Sequence, residues 1–242
     1  MGKLFFSHGD KGGVGKSVLS ALLVDHLLVS GADVGIVEGD TQADIASRFA
    51  GMVDVSAVNL NRSGAAEEAV LAFSESLAEM SGKSVVVNLP AGSGDTLEAF
   101  AEPLVTVAES MGFDVFVFYS LGHQSSATKN AIRSVESGLL NAVPRDNRCI
   151  VFPGFLGNPD SFDWVKSGAR EKAGNIREII IPAIRPDALV MKVLSLSGPF
   201  SMMIEKEFTG LTLMEKALLK SKWLCPSLAA VSVFDDVEVN HE

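Results

Sequence analysis

Seven short apolar runs recur along the chain: KLFFSH (3–8), DVGIVE (33–38), VDVSAVNL (53–60), SVVVNL (84–89), FDVFVFYS (113–120), RCIVFP (148–153) and EIIIP (178–182). Continuous apolarity, rather than strict alternation, predicts parallel strands covered on both faces. Between the runs, apolar positions return at helical spacing. Helices are predicted over 17–32, which stops near Gly31, over 63–82, over 95–112 and over 125–140. Pro103 is expected to kink or break the third of these. Strand and helix alternating this regularly imply right-handed crossovers. The expected fold is therefore α/β: a doubly wound, mostly parallel sheet of seven or eight strands with helices on both faces. No linker, repeat or low-complexity tract interrupts the pattern, so residues 1–242 are read as one domain.

Composition narrows the setting. Hydrophobic residues make up 47% of the chain, enough for a large core. No apolar run approaches the roughly 20 residues that span a bilayer. The first strand begins within three residues of the N-terminus, which leaves no room for a secretory signal. Cys149 and Cys225 lie too far apart for a metal or redox spacing and read as thiols of a reducing compartment. A cytoplasmic protein is expected. The net charge of −10 is uneven: residues 1–120 hold 6 Lys/Arg against 16 Asp/Glu, whereas the second half is balanced. Any polyanion would therefore meet the second half, where DNA contact is conceivable through the scattered Lys and Arg of 129–222.

The chemistry concentrates where the first strand meets the first helix, in HGDKGGVGKSVLS (8–20). Gly12, Gly13 and Gly15 permit a tight turn whose N–H groups approach phosphate oxygens. The helix beginning near Lys16 points its positive dipole end at the same place. Lys16 is the candidate contact for β- and γ-phosphates, and the Ser17 hydroxyl is the candidate ligand for Mg2+. A second lysine, Lys11, is hard to satisfy on a loop serving one triphosphate, but suits charge developing between two subunits.

This KGGVGKS stretch (11–17) resembles the deviant Walker A motif of the ParA/MinD family of P-loop ATPases, which position plasmids, chromosomes and other cargo. The resemblance implies that residues 12–18, Val14 and Val18 included, cradle ATP. It implies that Lys11 reaches the nucleotide of a partner subunit in an ATP-dependent homodimer. Asp10 replaces the usual first glycine, a mild departure. In VEGDTQAD (37–44), Glu38, Asp40 and Gln42 occupy the places of the family's acidic pair and glutamine. The resemblance gives Asp40 the attacking water, and Glu38 a place near the magnesium shell; the competing reading of Asp40 is a cap for the next helix. In VVVNLPAGSG (85–94), Asn88 stands where the family places a metal-holding aspartate. An amide accepts a hydrogen bond from metal-bound water but adds no negative charge. Nucleotide binding should survive this change, and slow hydrolysis is expected.

Later motifs are weaker. Pro182 and Arg185, after the last strand, resemble the family's adenine-flanking segment, with Asn158 a further base candidate. His123 reads as a loop histidine or a site residue. The helix-spaced LTLMEKALLKSKWL (211–224) is followed by Pro226 and by acids in the last eight residues, a pattern that opposes an anionic membrane surface. A slow ATPase switch that dimerises and holds a protein partner or DNA, in partition or mobilisation, is the leading reading. The alternatives are a nucleotide-binding module that does not hydrolyse ATP and a dethiobiotin-synthetase-like ATP-dependent enzyme.

Overall fold

The structure, a computed structural model, describes residues 2–9, 12–40, 44–60, 66–90, 98–207 and 209–235. The expectations placed on Asp10, Lys11, Gln42, the loop 91–94 and the acidic residues 236–242 lie outside these residues.

Seven parallel strands form one sheet: β1 (Gly2–His8), β2 (Val34–Glu38), β3 (Asp54–Ala57), β4 (Ser84–Asn88), β5 (Phe113–Ser120), β6 (Arg148–Pro153) and β7 (Arg177–Ile181). Their order is β3-β2-β4-β1-β5-β6-β7. Each coincides with one of the apolar runs, with β1 and β7 starting one residue earlier. The third run yields a short edge strand, mostly exposed and opening on Asp54, rather than a buried one. A short, charged edge is one way a sheet avoids pairing with other chains.

Successive strand residues face opposite layers. Leu4, Phe6, Val85, Val87, Val115 and Val117 belong to one core. There they meet α3 (Ala66–Glu79), α4 (Ala101–Ser110), α5 (Ser125–Ser137) and α6 (Leu139–Ala142), through residues such as Phe73, Leu104 and Leu140. Two single-turn helices, α7 (Asp163–Lys166) and α8 (Ala169–Lys172), bring Trp164 to the same layer. Phe5, Ile36, Val86, Phe116 and Phe118 face the other core. It is covered by α1 (Lys16–Val29), α2 (Asp44–Arg48), α9 (Ala188–Leu194), α10 (Phe200–Glu205), α11 (Leu213–Leu219) and α12 (Cys225–Val231). Each fully buried Leu or Phe in these layers contributes about 1.5–3 kcal/mol relative to exposure.

Two prolines mark helices. The helix predicted over 95–112 is broken, as expected from Pro103: Glu98 and Ala99 are helical, Phe100 is a turn residue, and α4 starts afresh at Ala101 with Pro103 as its third residue, in the first turn, where a missing N–H removes no intrahelical bond. Pro226 lies inside the C-terminal helical run. A π turn over Lys220–Leu224 joins α11 to α12, so the helix passes through Pro226. The wider turn relieves the clash between the proline ring and the preceding carbonyls. Thr212 and Glu215 start this run with a reciprocal capping box: Glu215 N donates to Thr212 Oγ1 at 3.2 Å, and Thr212 N donates to Glu215 Oε2 at 2.7 Å. The run Leu213–Phe234 has the length and apolarity to cross a bilayer. Its Leu219, Trp223, Leu224, Val231 and Phe234 are buried in the second core.

Candidate functional site

β1 is central, with β4 on one side and β5 on the other. The turn leaving its C-terminal end therefore opens at the point where the sheet winds in both directions, the usual place for a ligand in such folds. Gly13 and Gly15 adopt φ of 78° and 84°, a conformation that L side chains rarely hold. Gly15 caps α1, and a Cβ there would meet Phe155 Cε1 at 3.2 Å. Gly9 has no room either: its Cβ would approach Ser120 O at 2.7 Å.

This turn borders a cleft of about 890 Å3. It is lined by residues 12–19 with Asp40, Asp44 and Pro90, and by Pro153, Phe155, Pro182, Ile184, Arg185 and Trp223. The first set offers the N-terminus of α1 and the lysine cation, and the second offers mostly apolar surface, with Phe155 set against Gly15. Lys16 is buried, with 7% of its surface exposed. Ser7 Oγ donates to Lys16 O at 3.1 Å, which pins the first residue of α1 to β1.

The carboxylates divide between wall and interior. Asp40 and Asp44 line the cleft with Ser17. Glu38 and Asn88 are buried at 2% and 1% exposure and are not part of the wall. They are register partners on adjacent strands β2 and β4. Asn88 Nδ2 donates to Glu38 Oε1 at 2.8 Å, and Ser20 Oγ of α1 donates to Asn88 Oδ1 at 2.9 Å. Glu38 also accepts from Asp40 N at 3.0 Å, and from Ile45 N and Ala46 N at 3.1 and 3.2 Å. Its carboxylate thus caps α2 and fixes the approach of Asp40. An asparagine at 88 supplies the donor that this buried carboxylate needs, where an aspartate would present a second negative charge.

A second network leaves the same end of β1. His8 is buried, and its Nε2 donates to Glu98 Oε1 at 2.8 Å. Glu98 Oε2 accepts from Ser134 Oγ at 3.1 Å and from Leu139 N at 2.6 Å, which ties β1 to α5 and α6. Burial pushes the Glu98 carboxyl up, but the hydrogen bond and charge of His8, with Ser134 and Leu139, hold it below the ordinary 4.5.

Of the sequence candidates, residues 12–18, Asp40, Pro182 and Arg185 are brought together around the cleft. Arg185 is exposed there and paired with Asp187. Asn158 is spent on capping Asp160 N at 3.2 Å and lies off the cleft, as does His123, which bonds Ser161 Oγ at 3.1 Å. Sequence reasoning passed over Asp44, Phe155 and Trp223. Asp44 had a signal in its spacing from Asp40. Phe155 and Trp223 had none, because each reaches the cleft only through the packing of distant segments. Among the described residues no group of three or more His, Cys, Asp or Glu could hold a metal ion by itself. Magnesium does not need one: it retains waters and takes one or two protein oxygens beside substrate phosphates, a demand that Ser17 and Asp40 fit.

A glycine turn with αL residues, feeding a buried lysine into a helix N-terminus at the centre of a parallel sheet, defines a P-loop nucleotide-binding fold. Solved structures of similar fold carry the comparison further. A Mg-ADP complex of the septum site-determining protein MinD from Pyrococcus horikoshii matches at a TM-score of 0.58 and 15% identity, covering 98% of this chain and 97% of that one. An ATP complex of McdA from Cyanothece matches at 0.55 and 15%, covering 99% of each chain. A plasmid partition protein from Borrelia burgdorferi bound to AMPPNP matches at 0.55 and 16%, covering 97% and 98%. The chain has the fold of the MinD and ParA-type P-loop proteins. No protein-family model and no curated protein sequence matches it.

Proposed function

We propose that this chain is an ATP-dependent switch of ParA/MinD type: it binds ATP with Mg2+ in the cleft, dimerises in that state, and hydrolyses ATP slowly. The observation that carries this reading is the cleft itself, lined by Lys16, Ser17 and Asp40 around a P-loop and by the apolar surfaces of Pro153, Phe155, Pro182 and Trp223. Backbone N–H groups of residues 12–17 and the Lys16 ammonium would hold the phosphate chain and meet charge that develops in phosphoryl transfer. Ser17 and Asp40 would hold the cation, which supplies neutralisation of the phosphate charge. Asp40, kept in place through its N–H bond to Glu38, would orient the attacking water and accept its proton. Lys11 would act on the nucleotide of the partner subunit, as the sequence resemblance implies.

The lost negative charge at position 88 supports slow turnover, because Asn88 is committed to Ser20 and Glu38. A binding module without hydrolysis is the second reading that the same observation favours. The dimer would act in the cytoplasm, in partition or positioning of cargo, with a protein partner that reads the ATP state and with DNA contact through 129–222. Phosphate release from ATP and Mg2+, measured against Lys16→Ala, separates the readings. A slow rate lost in the variant supports the switch; binding without any release supports the module.

A further inference from the structure

Beside the cleft lies a second pocket of about 330 Å3, set among α1, α2 and the segment between α9 and α10. It shares Ser17, Val18, Asp44 and Leu194 with the cleft, so the two adjoin. Arg48, the last residue of α2, lines it together with Ser47, Ser195 and Ser197, and with Asp44.

Arg48 is poorly satisfied for an arginine with five N–H donors. Its Nη1 reaches Leu194 O only at 3.4 Å, and Nη2 faces the Met203 sulfur, a weak acceptor, at 3.3 Å. Nε is buried and has no partner among the described residues. The guanidinium lies 3.9 Å over the ring of Phe200, which Trp223 in turn meets edge-on at 4.7 Å. Asp25 acts on it through charge alone, because its carboxylate is bound by the backbone N–H and hydroxyl of Ser201. Burial lowers the Arg48 pKa to about 10, with Asp25 opposing. A partly buried cation with no hydrogen-bonded carboxylate is costly, and an anion bound to its N–H groups would relieve the cost.

We propose that this pocket is a second anion site, in which Arg48 and the serine hydroxyls bind a phosphate-type oxyanion. The guanidinium face is taken by Phe200 and Nε is buried, which leaves the weakly held Nη1 and Nη2 N–H groups as the recognition element, suited to two oxygens of one phosphate. The hydroxyls of Ser47 and Ser197 are donors to the remaining oxygens, whereas Ser195 Oγ donates to Lys192 O at 3.2 Å. The volume admits a tetrahedral oxyanion with little attached, and the shared wall at Ser17 lets it arrive from the phosphate end of the cleft. Inorganic phosphate and the phosphate of a small phosphomonoester have the same chemistry.

The test is equilibrium dialysis of labelled inorganic phosphate, and separately of glycerol phosphate, against the full chain. Four forms are compared: wild type, Lys16→Gln, Arg48→Met and Ser197→Asp. The expected result is saturable binding that persists in Lys16→Gln and falls tenfold or more in Arg48→Met. Ser197→Asp places a carboxylate beside the arginine and should also abolish binding, with cooperative thermal unfolding retained; it serves if Arg48→Met fails to fold. Tighter binding of glycerol phosphate assigns the site to an esterified ligand, and tighter inorganic phosphate to the free ion. No saturable binding overturns the proposal, as does binding lost in Lys16→Gln but retained in both pocket variants. ATP binding by the P-loop is read separately, in wild type and Arg48→Met, so failure of one site leaves the other measured.

Discussion

The Glu38–Asn88 pair shows how a single residue identity is set by its neighbour. Asn88 donates to a carboxylate that already caps α2, at 2.8 Å and away from water. Asn88→Asp would place two carboxylates at that distance, so restoring the acid of the family pattern is expected to harm this chain. The expected cost is about 3 kcal/mol at pH 7, read from urea unfolding. One of the two carboxyls then has a raised pKa in the folded state, so the cost should shrink as pH falls and that site takes a proton. Equal stability of variant and wild type from pH 5 to 8 would contradict the network. Lys16→Ala tests the other side of the site. Loss of a charge-assisted contact worth about 1.5–3 kcal/mol should weaken ATP binding by roughly tenfold to a hundredfold in calorimetry, with the fold intact by circular dichroism. The motif around Lys16 was legible because its glycines, lysine and serine are consecutive. The Glu38–Asn88 contact was not, because it exists only when β2 and β4 become neighbours.

At the scale of elements, the two networks at the end of β1 and β4 connect the phosphate loop to helices on both faces. Glu98 joins His8 on β1 to Ser134 and Leu139. Its folded pKa is depressed, so the native state binds fewer protons than the unfolded chain near the ordinary value of 4.5. The stabilisation is present above that value and is lost as pH falls through the folded pKa. Glu98→Gln should therefore lower stability at pH 7 and flatten the acid limb of a stability profile below about pH 4.5; an unchanged acid limb would count against the network. The strands themselves were legible as apolar runs, since a parallel sheet buries both faces of each. The break in the helix predicted over 95–112 was legible from Pro103, whose ring excludes the carbonyl four residues back, whereas the π turn that lets a helix pass through Pro226 was not. A further consequence concerns Phe6, fully buried against Phe73 with ring centroids 5.9 Å apart. Phe6→Ala should cost about 3–5 kcal/mol and leave the cleft on the other side of the loop formed, if the variant folds.

For the whole molecule, the sheet order puts the glycine loop at the centre and the strands β6 and β7 of the charge-balanced second half to one side. Strands β5 to β7 and everything after them derive from residues 113–235, and β1 to β4 come from the acidic half. Any charge-driven partner would meet that second side, and salt should weaken such contact. The cleft draws on both halves, which explains why Phe155 and Trp223 were not visible in sequence, as Pro182 was: they join its lining only after β6, β7 and the C-terminal helices have packed. The proposed switch is a state of the whole chain, an ATP-bound dimer in which Lys11 serves the opposite nucleotide. Light scattering of the full chain, with and without ATP and Mg2+, tests it most directly beside Lys11→Ala. The account predicts a mass of one chain without nucleotide and two with it, and one chain under both conditions for the variant. A wild-type chain that binds ATP yet stays at the mass of one chain would contradict it.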